Sequence, residues 1–276
     1  MSHRYLRRYA GPVQAVVLDW AGTAVDFGCL APVGVFIEVF ARRGVTVTLA
    51  EAREPMGTHK RDHIARMLAQ PALAARWREA RGEAATEAEI DAMYRELEPL
   101  ALEVLDAFAE PVPGLLNALE VLRARGIRVG STTGYNRAML DRLVVAAAGH
   151  GYRPDAAVAA SEVPAGRPAP YMAWEAVARL GVVPVQACVK IGDTPVDVEE
   201  GLNAGMWSVG VAATGNEIGL SRADFEALST AERRERVERA RDRLARAGAH
   251  LVVDSAAELP VVVETIEGWL RAGRSP

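Results

Sequence analysis

The chain has 276 residues, half of them hydrophobic and a quarter charged, with a formal net charge of −4. That length allows one large domain or two modest ones with a sizeable core, and the charge balance excludes a global basic field that would recruit nucleic acid or anionic membrane. Cys29 and Cys188 make no disulfide framework and neither lies in a CxxC pair, so a reducing cytoplasm is the expected setting.

The first nine residues are basic but have no apolar core behind them, so they do not read as a signal peptide. No apolar stretch reaches the ~18 residues of a membrane span. The first predicted strand, 13–18, is the apolar run Val13-Gln14-Ala15-Val16-Val17-Leu18. It ends on Asp19-Trp20-Ala21-Gly22-Thr23. An aspartate held at the C-terminal end of a buried strand, before a small-residue turn whose amides can face an anion, suits a nucleophile. It equally suits a plain capping role in a βα loop. Trp20 is expected to pack beside it.

From about 29 to 109 the pattern is helical throughout. Pro32 fits the first turn of a helix over 32–42, whose apolar stripe includes Val35, Phe36, Val39 and Phe40. Thr48 with Glu51, and Thr86 with Glu89, have capping-box spacing. Such an insertion is too long for a simple crossover. It is expected to form a separate helical cap, 29–109, between two pieces of a core, 1–28 and 110–276. Linkers fall near Gly28 and near Glu110-Pro111-Val112-Pro113-Gly114.

Further strands are predicted at 127–131, 156–160, 187–191, 207–211 and 250–253, mostly separated by helical patterns. This alternation implies a doubly wound, Rossmann-like parallel sheet with helices on both faces. The second strand runs into Ser131-Thr132-Thr133-Gly134-Tyr135, where a hydroxyl and the Gly134 amide can hold a phosphoryl oxygen. Gly166-Arg167-Pro168 is a cationic loop able to neutralise such a group. Ile191-Gly192-Asp193-Thr194-Pro195-Val196-Asp197 places two carboxylates four apart, the first at a strand end, which suits a hard cation such as Mg2+. In a doubly wound sheet all these strand ends open on one crevice. The segment 231–248 carries many charges of both signs and reads as a solvated helix face rather than a nucleic-acid arm. There is no P-loop, GxGxxG fingerprint or internal repeat.

The ordered set Asp19, Thr133, Arg167, Asp193 and Asp197, with a helical insertion after the first strand, resembles the haloacid dehalogenase superfamily of phosphotransferases over nearly the whole length. The resemblance implies that Asp19 attacks phosphorus. Mg2+ would be held by Asp19, the Ala21 carbonyl and Asp193, with Asp197 supporting the site. Thr133 and Arg167 would bind the transferring group.

One position departs from the superfamily's phosphatases. They carry a second aspartate two residues after the nucleophile as the acid for the leaving alcohol, whereas this chain has Ala21, which transfers no proton. Pro55-Met56-Gly57-Thr58-His59-Lys60-Arg61-Asp62-His63, with Asp19 through Thr23 and Asp26-Phe27-Gly28-Cys29, resembles the phosphonatase family. That likeness implies a Schiff base between Lys60 and an aldehyde of a small phosphonate, phosphonoacetaldehyde. The imine then takes the electrons of the P–C bond and no acid at position 21 is needed.

The amine must be neutral to attack, so a pKa lowered to roughly 7–8 is expected. His59, Arg61 and His63 are candidate cationic neighbours, and Asp62 would oppose them. Met56, four before Lys60, would share its helix face and contact substrate. His63, Tyr135 and Cys29 are further expected substrate contacts, each equally readable as a packing residue. Part of the 32–42 stripe is expected to pair with a second copy, giving a homodimer through the cap. A sugar-phosphate phosphatase or mutase of the same superfamily is the alternative, and a non-catalytic binding protein on this fold is a further one.

Overall fold

A computed structural model describes residues 8–276, so most of the basic start lies outside the described residues. β1 (Ala15–Leu18) is followed by five helices: α1 (Ala31–Ala41), α2 (Leu49–Arg53), α3 (Lys60–Ala69), α4 (Pro71–Arg81) and α5 (Glu87–Val104). The chain then alternates: α6 (Leu115–Ala124), β2 (Arg128–Thr133), α7 (Arg137–Gly149), β3 (Ala156–Ala159), α8 (Tyr171–Leu180), β4 (Cys188–Gly192), α9 (Pro195–Asn203) and β5 (Trp207–Val211). It ends with α10 (Arg222–Ala227), α11 (Thr230–Arg246), β6 (Leu251–Val253) and α12 (Leu259–Arg271).

All six strands are parallel, in the order β3-β2-β1-β4-β5-β6. A parallel sheet covered on both faces needs near-continuous apolar strands, and β1, β4 and β5 are buried along their whole length. The chain winds from β1 out to β3, then crosses back to build β4 to β6 on the other side. This reversal opens the crevice of a doubly wound sheet at β1. Leu18 pairs with Ser131 on β2 and with Ile191 on β4. That register sets the strand ends bearing Asp19, Thr133 and Asp193 side by side. β2 runs two residues beyond the expected end at Ser131, because Thr132 and Thr133 still pair with Val158 and Ala159 of β3.

The inserted helices form the cap. α2 and α5 each begin with a reciprocal capping box, at Thr48–Glu51 and Thr86–Glu89. α1 carries Pro32 in its first turn and buries Val35, Phe36, Val39 and Phe40; it packs on α5. One apolar cluster joins Phe36, Phe40, Trp77 and Met93 of the cap to Leu115, Val129 and Leu140 of the core. The α1 stripe is therefore consumed inside the chain. It is not left free to pair with a second copy, as was expected of it.

A second cluster under α8 fills the opposite face of the sheet. α11, the charged segment, buries only Ala240 and Leu244 and pairs Glu235 with Arg239 and Asp242 with Arg246 along its outer side, as a solvated helix does. Among the described residues no helix is long and apolar enough to cross a membrane.

Candidate active site

β1 hands the chain to a tight turn in which the Trp20 carbonyl accepts from the N–H groups of Thr23, Ala24 and Val25. Gly22 makes this possible: its φ is +89°, and a Cβ there would stand 2.3 Å from Asp193 Oδ2. Asp19 and Asp193 thus meet at the sheet's C-terminal edge, both buried. With Asp197 they bring carboxylate oxygens within 4.8 Å of one another. Trp20 is buried beside them, edge-on to Tyr152, with ring centroids 5.1 Å apart.

A small cavity of about 20 Å³, room for about one water, is lined by Asp19, Ala21, Cys29, Pro32, Met56, Gly57, Lys60, Thr133, Gly134, Tyr135, Arg167, Asp193 and Thr194. It lies between core and cap and gathers most of the residues singled out from the sequence. Met56 reaches it from the turn after α2 rather than from the face of a helix shared with Lys60. The two side chains therefore do not share a helix face, contrary to the i,i+4 expectation. His63 does not reach the wall. It is wholly buried, its Nε2 lies 2.8 Å from the Ala52 carbonyl, and its ring stacks on Phe36 at 3.7 Å. Burial and the nearby Lys60 hold it well below the ordinary histidine range, so it stays neutral and braces α3. His63 is thus a packing residue and not the expected direct substrate contact.

Arg167 organises the core side. Its Nη2 lies 2.6 Å from Asp19 Oδ1, its Nη1 3.0 Å from Asp197 Oδ1, and its Nε 2.8 Å from Glu200 Oε2. Nη2 also donates to the carbonyl and hydroxyl of Thr132, and Nη1 to the Gly57 carbonyl of the cap at 3.3 Å. Lys190 Nζ adds contacts to Asp197 Oδ1 (3.0 Å) and Glu200 Oε2 (3.3 Å). Asp197 takes its remaining bonds from Thr194, so both its oxygens are engaged and it acts from behind the site.

Asp193 differs. It accepts from the Thr23 hydroxyl (3.0 Å) and the Asn216 N–H (2.7 Å), yet no cationic side chain lies within 4.0 Å of it among the described residues. Burial, then Asp19 and Asp197, push its pKa well above the usual carboxylate range.

The donor set fits a divalent cation. Asp19, Asp193, Asp197 and Glu200, when ionised, face only Arg167 and Lys190, leaving two negative charges uncompensated in the interior. Such a surplus is costly unless a cation offsets it. The Ala21 carbonyl accepts no hydrogen bond among the described residues, leaving an oxygen donor beside two carboxylates.

Thr133 Oγ1 accepts from the Tyr135 N–H (3.2 Å), which leaves its own proton free to donate into the cavity.

Lys60 forms the cap side. It is the first residue of α3 and is 5% exposed. Its Nζ stands over the rings of Tyr135 (4.8 Å) and Phe36 (5.5 Å), with no carboxylate within 4.0 Å among the described residues. Burial lowers its pKa to about 8, against the opposing pull of Asp19 and Asp26 and with the help of Arg167. The positive end of α3 works in the same direction. The cationic neighbour is thus Arg167, not the expected His59 or Arg61: Arg61 is paired with Glu87 and Asp91, and His59 leans on Tyr94. The Cys29 thiol is buried and pushed up, so it stays protonated.

Lys190, Glu200, Thr23 and Asn216 were not found from the sequence. Lys190 did carry a signal, as the one charge in an otherwise apolar strand. Glu200 lies three residues after Asp197, on the same face of α9.

A family model described as haloacid dehalogenase-like hydrolase matches residues 13–205. The chain is 49% identical to a phosphonoacetaldehyde hydrolase of Hahella chejuensis, over 100% of this chain and 94% of that one. It is 52% identical to a phosphonoacetaldehyde hydrolase of Nitratidesulfovibrio vulgaris, over 98% and 96%. A crystal structure of a phosphonoacetaldehyde hydrolase-like protein from Oleispira antarctica superposes with a TM-score of 0.97 at 43% identity, covering both chains fully. The chain belongs to the haloacid dehalogenase-like hydrolases and, within them, to the phosphonoacetaldehyde hydrolase family.

Proposed function

We propose that this enzyme hydrolyses phosphonoacetaldehyde to acetaldehyde and phosphate, through an imine on Lys60 and an aspartyl phosphate on Asp19. The observation that carries this reading is the pairing of two groups in one cavity: a buried lysine poised near neutrality and a carboxylate nucleophile, with Ala21 where a general acid would stand.

Neutral Lys60 Nζ attacks the aldehyde carbon, one proton is taken up from solvent, water departs, and a protonated imine results. Asp19 then attacks phosphorus. The P–C bond breaks and its electron pair forms the enamine carbon–carbon double bond as the imine nitrogen becomes neutral. Protonation of the enamine carbon regenerates an iminium, and water releases acetaldehyde, the Lys60 amine and the proton taken up at imine formation. A second water hydrolyses the aspartyl phosphate. Two waters are consumed and one is released, so the sum is phosphonoacetaldehyde plus one water.

Asp19, the Ala21 carbonyl and Asp193 would hold Mg2+, which when bound supplies the positive charge that lets a carboxylate approach a phosphonate dianion. Thr133 donates to a phosphoryl oxygen, and Arg167 fixes the rotamer of Asp19 through its 2.6 Å contact. The aromatic walls of Tyr135 and Phe36 keep water from Lys60.

Borohydride added with phosphonoacetaldehyde should inactivate the enzyme and add the mass of a reduced imine to the Lys60 peptide. Labelling at another lysine, or none, would sink the mechanism.

A further inference from the structure

Arg53 closes α2, in the cap, and its guanidinium reaches into the core. Nη1 donates to the carbonyls of Gly28 (3.0 Å) and Cys29 (3.3 Å) and to Asn216 Oδ1 (3.1 Å), and Nη2 donates to the Gly219 carbonyl (3.2 Å). Asn216 answers by donating from Nδ2 to the carbonyl of Arg53 (3.2 Å). The same residue donates its main-chain N–H to Asp193 Oδ2 at 2.7 Å. One loop, 212–220, therefore holds the cap through a side chain and the acidic centre through its backbone. It also takes the Gly28 N–H on the Thr214 carbonyl (2.7 Å) and gives the Thr214 hydroxyl to the Gly22 carbonyl (2.8 Å). The contact with the centre is tight: a Cβ on Gly215 would lie 2.2 Å from Asp193 Cβ.

Every acceptor of Arg53 is neutral, and no carboxylate lies within 4.0 Å of it among the described residues. Neutral acceptors bind a guanidinium less strongly than carboxylates do, which suits a contact made and broken in each cycle. The segment it grips is strained. Asp26 and Cys29 have φ of +57° and +52°, conformations that non-glycine residues keep only where neighbours over-determine them.

We propose that Arg53 and Asn216 form a latch that couples closure of the cap to the order of Asp193. With the cap closed, Arg53 fixes Asn216 and Asn216 fixes the carboxylate. A cation that orders Asp193 favours the latched cap, and the latched cap tightens the cation by the same factor. Neither residue lines the cavity, so both are positioning residues. The proposal rests on assigning Asp193 to the metal centre and not on the identity of the substrate.

The test is calorimetric titration of Mg2+ into wild type, Arg53→Ala, Arg53→Lys, Asn216→Ala and the Ala double variant. Amide exchange across 54–64 is followed with and without Mg2+, and circular dichroism reports the fold. Mg2+ binding should weaken about tenfold in each Ala variant. The double variant should be no worse than either single one, and Arg53→Lys should fall between. Mg2+ should protect 54–64 in wild type and not in the variants. Should Arg53→Ala fail to fold, Arg53→Lys and Asn216→Ala carry the same comparison. Wild-type Mg2+ affinity in the variants, additive losses, or no Mg2+ binding by wild type overturns the latch. A coupled, Mg2+-binding wild type that leaves phosphonoacetaldehyde intact counts against the proposed function alone.

Discussion

On the core side of the cavity, Arg167 and Lys190 are wholly buried and their N–H groups go to Asp19, Asp197, Glu200, Thr132 and Gly57. On the cap side, Lys60 is buried just as deeply and faces two aromatic rings. The residue types are alike and the outcomes opposite. Arg167, held by carboxylates, is pushed further above its ordinary range and stays charged, a fixed electrostatic group suited to phosphoryl chemistry. A lysine stripped of partners loses its proton more readily and is suited to act as a nucleophile. Partnership, more than burial, decides which.

The comparison can be broken most directly at Lys60 itself. Lys60→Arg keeps the charge but cannot form an imine, so phosphate release from phosphonoacetaldehyde should fall by at least about 10⁴-fold, as loss of a nucleophile does, with the circular dichroism spectrum unchanged. On the core side, removing metal with EDTA should abolish turnover and Mg2+ should restore it, because two buried negative charges lack protein counter-ions; full activity in metal-stripped enzyme contradicts that assignment.

A sharper test is the pH profile. On the imine mechanism Lys60 must be neutral in the free enzyme, and its pKa is lowered to about 8. Hence kcat/KM should rise about tenfold per unit below that value and level off above it; a plateau already reached at pH 6 would place the nucleophile elsewhere. The smallest effect is on stability. A folded pKa of about 8 against the ordinary 10.5 means the unfolded chain binds the proton more tightly. The resulting penalty, up to about 3 kcal/mol, is fully present below pH 8 and fades as pH rises toward 10.5. Lys60→Met should therefore melt several degrees higher at pH 7 and lose that advantage near pH 10. A lower melting temperature at pH 7 would show that the ammonium is not strained.

The sheet and the strand-end residues were legible because their signal is local: apolar runs of strand length, three of which run into Asp19, Thr133 and Asp193. Lys60 and its helix start were legible only through the resemblance of 55–63 to a family, since a lone lysine carries no local mark. The latch was invisible for a different reason. Arg53 and Asn216 are 163 residues apart, and only the folded loop brings them together. Met56 was found for a mistaken reason, because a turn intervenes where a continuous helix was assumed. The α1 stripe misled because the hydrophobic pattern records that a face is covered and not which surface covers it.

Lys60 belongs to the cap and Asp19 to the core, and this division has a consequence for the fate of the cut bond. On the mechanism proposed above, once phosphorus and carbon part, each fragment would be covalently tied to a different body, the two-carbon unit to Lys60 and the phosphoryl group to Asp19. Any opening of the hinge then draws the fragments apart, so they cannot recombine, and neither can drift off before water has reached it. Cleavage by that route would be rectified by architecture: the hinge would separate the halves of the substrate before either is free.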